Sequence, residues 1–205
     1  MDNNHDLWIE KYRPSDFDDV KGQDNIVKRV RAMVEGKNVQ HMIFSGPPGV
    51  GKSSLALIIV KQLFGNNWRE NLLELNASDA RGIDTIRNDV KSFAKTLPIG
   101  SNIPKIIFLD EADALTREAQ NALRRTMETY TNSARFLLSC NYSSQIIDAI
   151  TSRCVIFRFR PLEKNHIREI VDKIAKNENL KVNDKVIDLL FEISVGVPFP
   201  PALTL

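Results

Sequence analysis

The chain has 205 residues, a length that allows one well-packed domain and a small second one. Hydrophobic residues make up 42% and charged residues 26%, a composition that fits a globular protein and excludes the disordered and fibrous classes. Because 28 basic residues nearly balance 26 acidic ones, any contact with nucleic acid has to come from a local patch, not from the net charge of +2.

The sequence pattern contains neither a membrane span nor a secretion signal. Apolar runs such as Lys105–Leu109 are far shorter than the roughly 20 residues that a spanning helix needs. The first residues, Met1–Asp6, lack the basic and apolar regions of a signal peptide. We therefore expect an intracellular protein with no membrane partner, in which Cys140 and Cys154 are buried thiols.

Strand-like and helix-like segments alternate along most of the chain. An amphipathic helix is predicted from about Gln23 to Glu35, where Gly36 ends it. Strands are predicted at 41–45, 72–75, 105–109, 135–139 and 154–159, and helices at 52–64, 83–95, 116–129 and 143–150. This alternation predicts an α/β fold with a mostly parallel sheet flanked by helices on both faces.

A second, helical module is predicted after Pro161. Residues 163–193 contain two amphipathic segments joined around Asn177–Asn179. Three prolines in the four positions Pro198–Pro201 then prevent a regular helix. The predicted division is an α/β domain at 1–161 and a helical domain at 162–205.

A phosphate-binding loop lies between the first of these strands and the helix after it. Residues Gly46–Ser53 read Gly-Pro-Pro-Gly-Val-Gly-Lys-Ser and fit the pattern G-x-x-x-x-G-K-S/T. Its glycines let backbone N–H groups turn toward phosphates at the helix N-terminus. Lys52 is placed to reach the β- and γ-phosphates, and the Ser53 hydroxyl to ligate Mg²⁺. The predicted nucleotide-binding residues are Gly46, Pro47, Pro48, Gly49, Val50, Gly51, Lys52, Ser53 and Ser54.

Clustered carboxylates follow the apolar run Ile106–Leu109, as expected of a Walker B strand. Asp110, at the strand tip, is predicted to join Ser53 in holding Mg²⁺. Glu111 is placed to accept a proton from a water behind the γ-phosphate and so to act as general base. The alternative is a solvated acidic start of a helix, stabilised by the helix dipole.

Two further polar residues follow strands of the same predicted sheet. Asn141 ends the run Arg135–Cys140, where its amide could hydrogen-bond the attacking water or the γ-phosphate, although such residues also start turns. Arg153, in Ser152–Cys154, is either a solvated charge or an arginine finger offered to a neighbouring subunit.

Taken together, these motifs resemble one family, the small subunits of replication factor C, which are AAA+ clamp loaders of eukaryotes and archaea. The matching segments are Trp8–Pro14, the phosphate loop, Leu73–Asp79 with Arg81–Ile83, Leu109–Asp113, Asn121–Glu128, Ser139–Asn141 and Ser152–Cys154. The resemblance covers roughly residues 7–193. It implies an AAA+ ATPase that uses ATP and Mg²⁺ in a hetero-pentamer and loads a sliding clamp on primer-template DNA. It also implies a nuclear location in a eukaryote, or the nucleoid and cytoplasm in an archaeon.

The resemblance also assigns roles residue by residue. Asn141 matches sensor 1, and Arg153 matches the finger that acts in trans on the next subunit. Arg124 and Arg125 match a pair near the subunit junction, and Asn76 matches a residue that restrains Glu111 until DNA binds. The segment expected to wrap the adenine contributes Ile9, Tyr12, Arg13, Val20 and Lys21.

The predicted DNA contacts lie just before and along the helix at 83–95. They are Arg81, Ile83, Arg87 and Lys91, which would meet phosphates without reading bases. Because Asp79, Asp84 and Asp89 are interleaved with them, the residues alone fit a mixed solvated face equally well, and the resemblance decides for DNA. Phe93 is the predicted apolar anchor for the clamp.

One segment departs from the family pattern. Relatives carry a Gly-Asp-x-Arg run, whose Arg is sensor 2, where this chain has Val195–Pro201. The chain also stops before the helical collar, so we expect an incomplete lid in a chain truncated or altered after about residue 194. Two alternatives stay open: a non-catalytic scaffold subunit, and another AAA+ machine such as a Holliday-junction motor.

Overall fold

The computed structural model describes residues 8–79, 84 and 86–195. They belong to two compact units, residues 14–159 in one and residues 160–195 with 8–13 in the other. The strands are β1 Met42–Ser45, β2 Leu72–Asn76, β3 Lys105–Asp110, β4 Ala134–Cys140 and β5 Val155–Arg158. The α-helices are α1 Trp8–Lys11, α2 Asp24–Glu35, α3 Lys52–Phe64, α4 Lys91–Lys95, α5 Arg117–Thr129, α6 Asp148–Thr151, α7 Lys164–Asn177 and α8 Asp184–Val195.

The five strands form one sheet in the order β2-β3-β4-β1-β5, and every pairing is parallel. The register places the carboxyl ends of the strands side by side: Asn76 lies opposite Asp110, and Ser45 lies between Cys140 and Arg158. Carboxyl ends of parallel strands meet at one edge, which is where open α/β sheets bind their ligands. The predicted α/β fold is confirmed.

Each face of the sheet has its own hydrophobic core, because side chains alternate along a strand. Met42 and Phe44 pack with α2 and α3 on one face. Ile43, between them, packs with α5 and α6 on the other. The central strands β1, β3 and β4 are buried on both sides, so they read as continuous apolar runs instead of alternating ones.

Two predicted helices differ from the observed ones. The segment predicted as one helix at 143–150 consists of a 3₁₀ turn, Ser143–Gln145, and the short α6. The Ile147 N–H donates to Gln120 Oε1 at 2.9 Å, so this amide is withdrawn from the helical ladder between the two pieces. The segment predicted at 83–95 includes a π-helical turn, Ile86–Val90, that leads into α4.

The helical unit contains α7 and α8, and α1 belongs to it as well. Lys11 Nζ and Tyr12 Oη donate to Glu178 Oε1 at 2.7 and 2.6 Å, which attaches this N-terminal segment beyond the end of α7. By these contacts residues 8–13 group with the helical unit, whereas the sequence division placed them in the α/β domain. None of the helices in the described ranges is long and apolar enough to cross a bilayer.

Candidate nucleotide site

The loop that follows β1 is shaped by its glycines. The Gly46 N–H donates to Cys140 O at 3.2 Å, and a Cβ on Gly46 would lie 2.6 Å from Phe159 O, so only glycine allows this close approach. Gly51, at φ 95°, adopts the left-handed conformation that turns the chain into α3. The N-terminus of this buried helix therefore points its free N–H groups into the loop, which is a geometry suited to an anion.

Lys52 is held across the loop. Its ammonium donates to Gly46 O and Pro47 O at 2.7 Å each, and to Asn141 Oδ1 at 3.1 Å. The side chain belongs to the buried set, and this burial lowers the pKa of Lys52, while the nearby Asp110 opposes the shift. The structure thus brings the loop cation and the predicted sensor Asn141 into direct contact.

Ser53 and Asp110 form the predicted metal pair. The Ser53 hydroxyl donates to Asp110 Oδ2 at 2.7 Å, and Asp110 Oδ1 accepts from the Ser139 hydroxyl. One carboxylate and one hydroxyl suit Mg²⁺, which completes its shell with phosphate oxygens and water. Across the described residues, no three His, Cys, Asp or Glu side chains converge into a metal site made of protein ligands alone.

Glu111 has a backbone conformation that is uncommon for a residue with a side chain. Its φ and ψ of 53° and 41° lie in the left-handed region, and its N–H donates to Asp110 Oδ1 at 3.1 Å and Ser139 Oγ at 3.2 Å. Such backbone strain concentrates at functional sites. It turns the exposed Glu111 away from the strand line just after Asp110.

Asp113 fixes the backbone around Asn141. Its Oδ2 accepts from the N–H groups of Asn141 at 3.0 Å and Tyr142 at 3.1 Å. The sequence indicated no separate role for Asp113, which lies within the acidic cluster, or for Ser139. Both could have been found from their position in the sequence, because each lies at or beside a strand end that carries a predicted site residue.

Arg153 lies on the surface, where it has partners on two elements. Its Nη2 lies 2.6 Å from Glu128 Oε1, and its Nη1 donates to Ala149 O at 2.6 Å. Glu128 also pairs with Arg124 one helical turn earlier on α5. The sequence contained no signal for this arrangement, because Glu128 and Arg153 are far apart along the chain.

The comparisons with known proteins agree with this geometry. The model of the ATPase family associated with various cellular activities, or AAA, matches residues 42–162. The chain belongs to the AAA family of ATPases. Nucleotide binding follows from this membership, and the predicted AAA+ assignment is confirmed. The assignment of that binding to the Gly46–Ser53 loop stays a prediction.

Archaeal proteins named replication factor C small subunit are similar to this chain over most of its length, which confirms the resemblance. The protein from Archaeoglobus fulgidus is 52% identical over 193 residues, which cover 94% of this chain and 60% of that protein. The protein from Methanosarcina barkeri is 53% identical over 192 residues, which cover 93% of this chain and 58% of that protein. This AAA chain therefore spans about 60% of the length of such relatives.

Solved structures agree at the level of the fold. A variant of Thermotoga maritima RuvB has a TM-score of 0.72 at 20% identity, with 88% of this chain and 59% of that chain covered. At this identity, the likeness supports the AAA fold alone.

The structure describes some of the predicted adenine and DNA contacts and not others. Val20 is buried against the loop, with Cγ1 3.6 Å from where a Cβ on Gly51 would lie, and Lys21 follows it. Ile9, Tyr12 and Arg13 lie in the helical unit, and their adenine role stays a prediction. Arg81 and Ile83 fall outside the described residues, as do the side chain of Arg87 and the segment 196–205.

Phe93, the predicted clamp anchor, is half-buried and packs against the core beneath α5. The Lys105 ammonium lies 4.5 Å from the centre of its ring and donates to Thr96 Oγ1 at 2.8 Å. Part of the apolar surface of Phe93 is therefore used inside the unit, and its role in clamp binding stays a prediction.

Proposed function

We propose that this chain is the ATPase module of a sliding-clamp loader. It binds ATP with Mg²⁺ and hydrolyses the ATP, and this cycle is coupled to placing a ring clamp on primer-template DNA. Its partners would be the other subunits of a hetero-pentamer, the clamp and the DNA. The observation that carries the proposal is the 52% identity to a replication factor C small subunit over 94% of this chain, with the phosphate loop and acidic strand tip intact.

The phosphate loop supplies binding. The N-terminal N–H groups of α3 and the Lys52 ammonium would hold the β- and γ-phosphates, so Lys52 would exchange its carbonyl partners for phosphate oxygens. Ser53 and Asp110 would hold Mg²⁺, which neutralises charge on the phosphates when bound. Ser139 donates to Asp110 and so orients this carboxylate.

Glu111 would accept the proton of the attacking water. Glu111 is exposed and directly follows Asp110, so one residue would hold the metal and the next would take the proton. Asn141, held by Asp113 and in contact with Lys52, would orient the water or the γ-phosphate.

Arg153 would act on the nucleotide of a neighbouring subunit, where an arginine finger stabilises transition-state charge. Its exposed position in the α/β unit allows such a role. Lys91 and the helix that carries it would meet DNA phosphates, and the surface beside Phe93 would meet the clamp. The compartment would be the nucleoid region in an archaeon, or the nucleus in a eukaryote.

The test is the ATPase rate of the assembled full-length complex with and without clamp and primed DNA. We expect stimulation that requires both together. The matched variant is Glu111→Gln, which retains the shape of the side chain but cannot accept a proton, so it should bind ATP normally and lose the stimulated turnover.

Other outcomes identify the rivals. Normal assembly and clamp loading after Glu111→Gln and Lys52→Ala in this subunit would make it a scaffold. ATP hydrolysis that responds to DNA but not to the clamp would favour another AAA machine. If turnover of Glu111→Gln stayed within about threefold of wild type, Glu111 would not be the base.

A further inference from the structure

A carboxylate on α5 joins two arginines on the surface of the α/β unit. Arg124 Nη1 donates to both oxygens of Glu128, at 2.9 and 3.1 Å, and Arg153 Nη2 lies 2.6 Å from Glu128 Oε1. We call this set the Arg124–Glu128–Arg153 cluster. Its formal charge is +1, since two guanidiniums surround one carboxylate.

The face of α5 that carries the cluster also holds the segment that leads to Arg153. Gln120, Arg124 and Glu128 follow at intervals of four residues, so they lie along one side of the helix. Gln120 is buried, donates to Leu115 O and Gln145 O, and accepts from the Ile147 N–H. This side of α5 therefore binds the 145–147 backbone through Gln120, near the N-terminus of the helix. It binds the Arg153 side chain through Glu128, near the C-terminus.

The Arg153 side chain is long and flexible, so the direction of its guanidinium depends on the partners that it contacts. Besides Glu128, it has Ala149 O at 2.6 Å from Nη1 and Ser152 Oγ at 3.3 Å, both from its own segment. Among the contacts of Arg153 that the structure describes, Glu128 is therefore the charged partner on α5. Since a guanidinium has five N–H donors, these contacts leave donors for a phosphate.

We propose that Glu128 is a positioning residue for the arginine finger. It holds the Arg153 guanidinium in one orientation on the subunit surface, and Arg124 offsets the charge of Glu128 so that the cluster still attracts an anionic phosphate. This proposal rests on the proposed function, in which Arg153 acts on the ATP of a neighbouring subunit. Glu128 itself touches neither nucleotide nor water.

The experiment uses assembled full-length complexes in which the subunit that donates Arg153 carries Lys52→Ala, so that its own site is silent. The steady-state kcat and KM for ATP of the active neighbour are then measured. Glu128→Gln in the donor should lower the neighbour's kcat by about 10- to 100-fold with little change in KM, because a misplaced finger affects the transition state more than binding. Glu128→Asp should recover part of the loss.

A double-variant comparison separates positioning from general destabilisation. In an Arg153→Ala donor, Glu128→Gln should add no further loss, since the group through which it acts is gone. The matched control is Asp184→Asn on α8, which removes another carboxylate from an exposed pair with an arginine, Arg168, and should leave the neighbour's kcat unchanged.

Three results would overturn the proposal. Glu128→Gln within twofold of wild type would show that the finger needs no such partner. Equal losses from Glu128→Gln with and without Arg153 would show that Glu128 acts elsewhere. If Arg153→Ala itself left the neighbour's kcat unchanged, the interfacial finger of the proposed function would fail, and the positioning role with it.

Discussion

Lys52 combines burial with a full set of oxygen partners. It is 8% exposed, and three oxygens of the loop and of Asn141 surround its ammonium. Burial lowers the pKa of Lys52, and the field of Asp110 offsets this shift only in part. Phosphate oxygens can replace the carbonyls as partners of the ammonium.

We predict that Lys52→Ala weakens ATP binding by about 100-fold or more, since it removes the desolvated cation that faces the phosphates. Titration with a fluorescent ATP analogue measures the Kd. The control is Lys61→Ala at the other end of α3, an exposed lysine that should leave the Kd unchanged. Equal affinity of Lys52→Ala and the parent chain would contradict the assignment of the loop.

His41 makes the stability of the α/β unit sensitive to pH. It is 9% exposed, its Nδ1 accepts from the Phe136 N–H at 3.1 Å, and burial lowers its pKa to about 4, with Arg135 adding to the shift. A protonated Nδ1 could not accept this hydrogen bond. The folded state therefore favours the neutral imidazole.

The unfolded chain binds a proton at His41 below its ordinary pKa of 6.5, whereas the folded chain does so only near 4. The free energy of unfolding should therefore fall as the pH drops from about 6.5 to about 4, by about 3 kcal/mol in total, and level off below that. Urea unfolding at several pH values tests this. In His41→Asn, whose Oδ1 can still accept from Phe136, the drop across this pH range should shrink; an identical pH profile would refute the role of His41.

At the scale of elements, hydrophobic patterns predicted the sheet well. All five strands lie within about two residues of their predicted bounds. The central strands β1, β3 and β4 are buried on both faces, and such strands are short apolar runs that the sequence displays directly. Helix α3 was equally visible, since its apolar residues and the loop before it are local signals.

Structure set by tertiary hydrogen bonds was not predictable in this way. The break between Ser143–Gln145 and α6 depends on Gln120, which comes from a different helix. In the candidate site, the loop and the acidic strand tip were visible as motifs, whereas the Glu128–Arg153 contact arises only when α5 packs beside α6. Local sequence contains no record of such pairings.

The link between β2 and the loop before β3 depends on one buried amide. Asn71 is fully buried; its Nδ2 donates to Asn67 O and Ile99 O at 2.9 Å each, and its Oδ1 accepts from the Ile99 N–H at 2.8 Å. The Asn71 side chain therefore supplies hydrogen bonds to backbone groups of irregular segments, which have no partner in a neighbouring strand.

We predict that Asn71→Ala lowers the free energy of unfolding by about 2 kcal/mol, because it leaves these backbone groups without their partner. The midpoint of urea unfolding measures the loss. Asn66→Ala, at an exposed position of the adjacent turn, is the control and should change stability by no more than about 0.5 kcal/mol. Equal midpoints for the two variants would show that the loop is held by other contacts.

At the scale of the whole molecule, charge is nearly balanced. With 28 basic and 26 acidic residues, the chain has no strong overall field to attract DNA. Binding to a nucleic acid backbone must then depend on single lysines and arginines in the right place, and each neutralised phosphate contributes through the release of counterions. Lys91, the first residue of α4, is exposed and is the predicted DNA contact whose side chain the structure describes.

We therefore predict that Lys91→Ala in the assembled complex makes the negative slope of log K against log salt less steep by about 0.9, because one phosphate contact is lost. The loss should be the same on two primer-template duplexes of unrelated sequence, since a phosphate contact reads no bases. Lys185→Ala on α8 removes an equal charge from an exposed position outside the predicted contacts and should leave the slope unchanged. If the two variants have equal slopes, the general charge of the chain is responsible and α4 does not track the backbone. A loss confined to one duplex would instead mean that Lys91 reads sequence or shape, which would contradict the predicted phosphate contact.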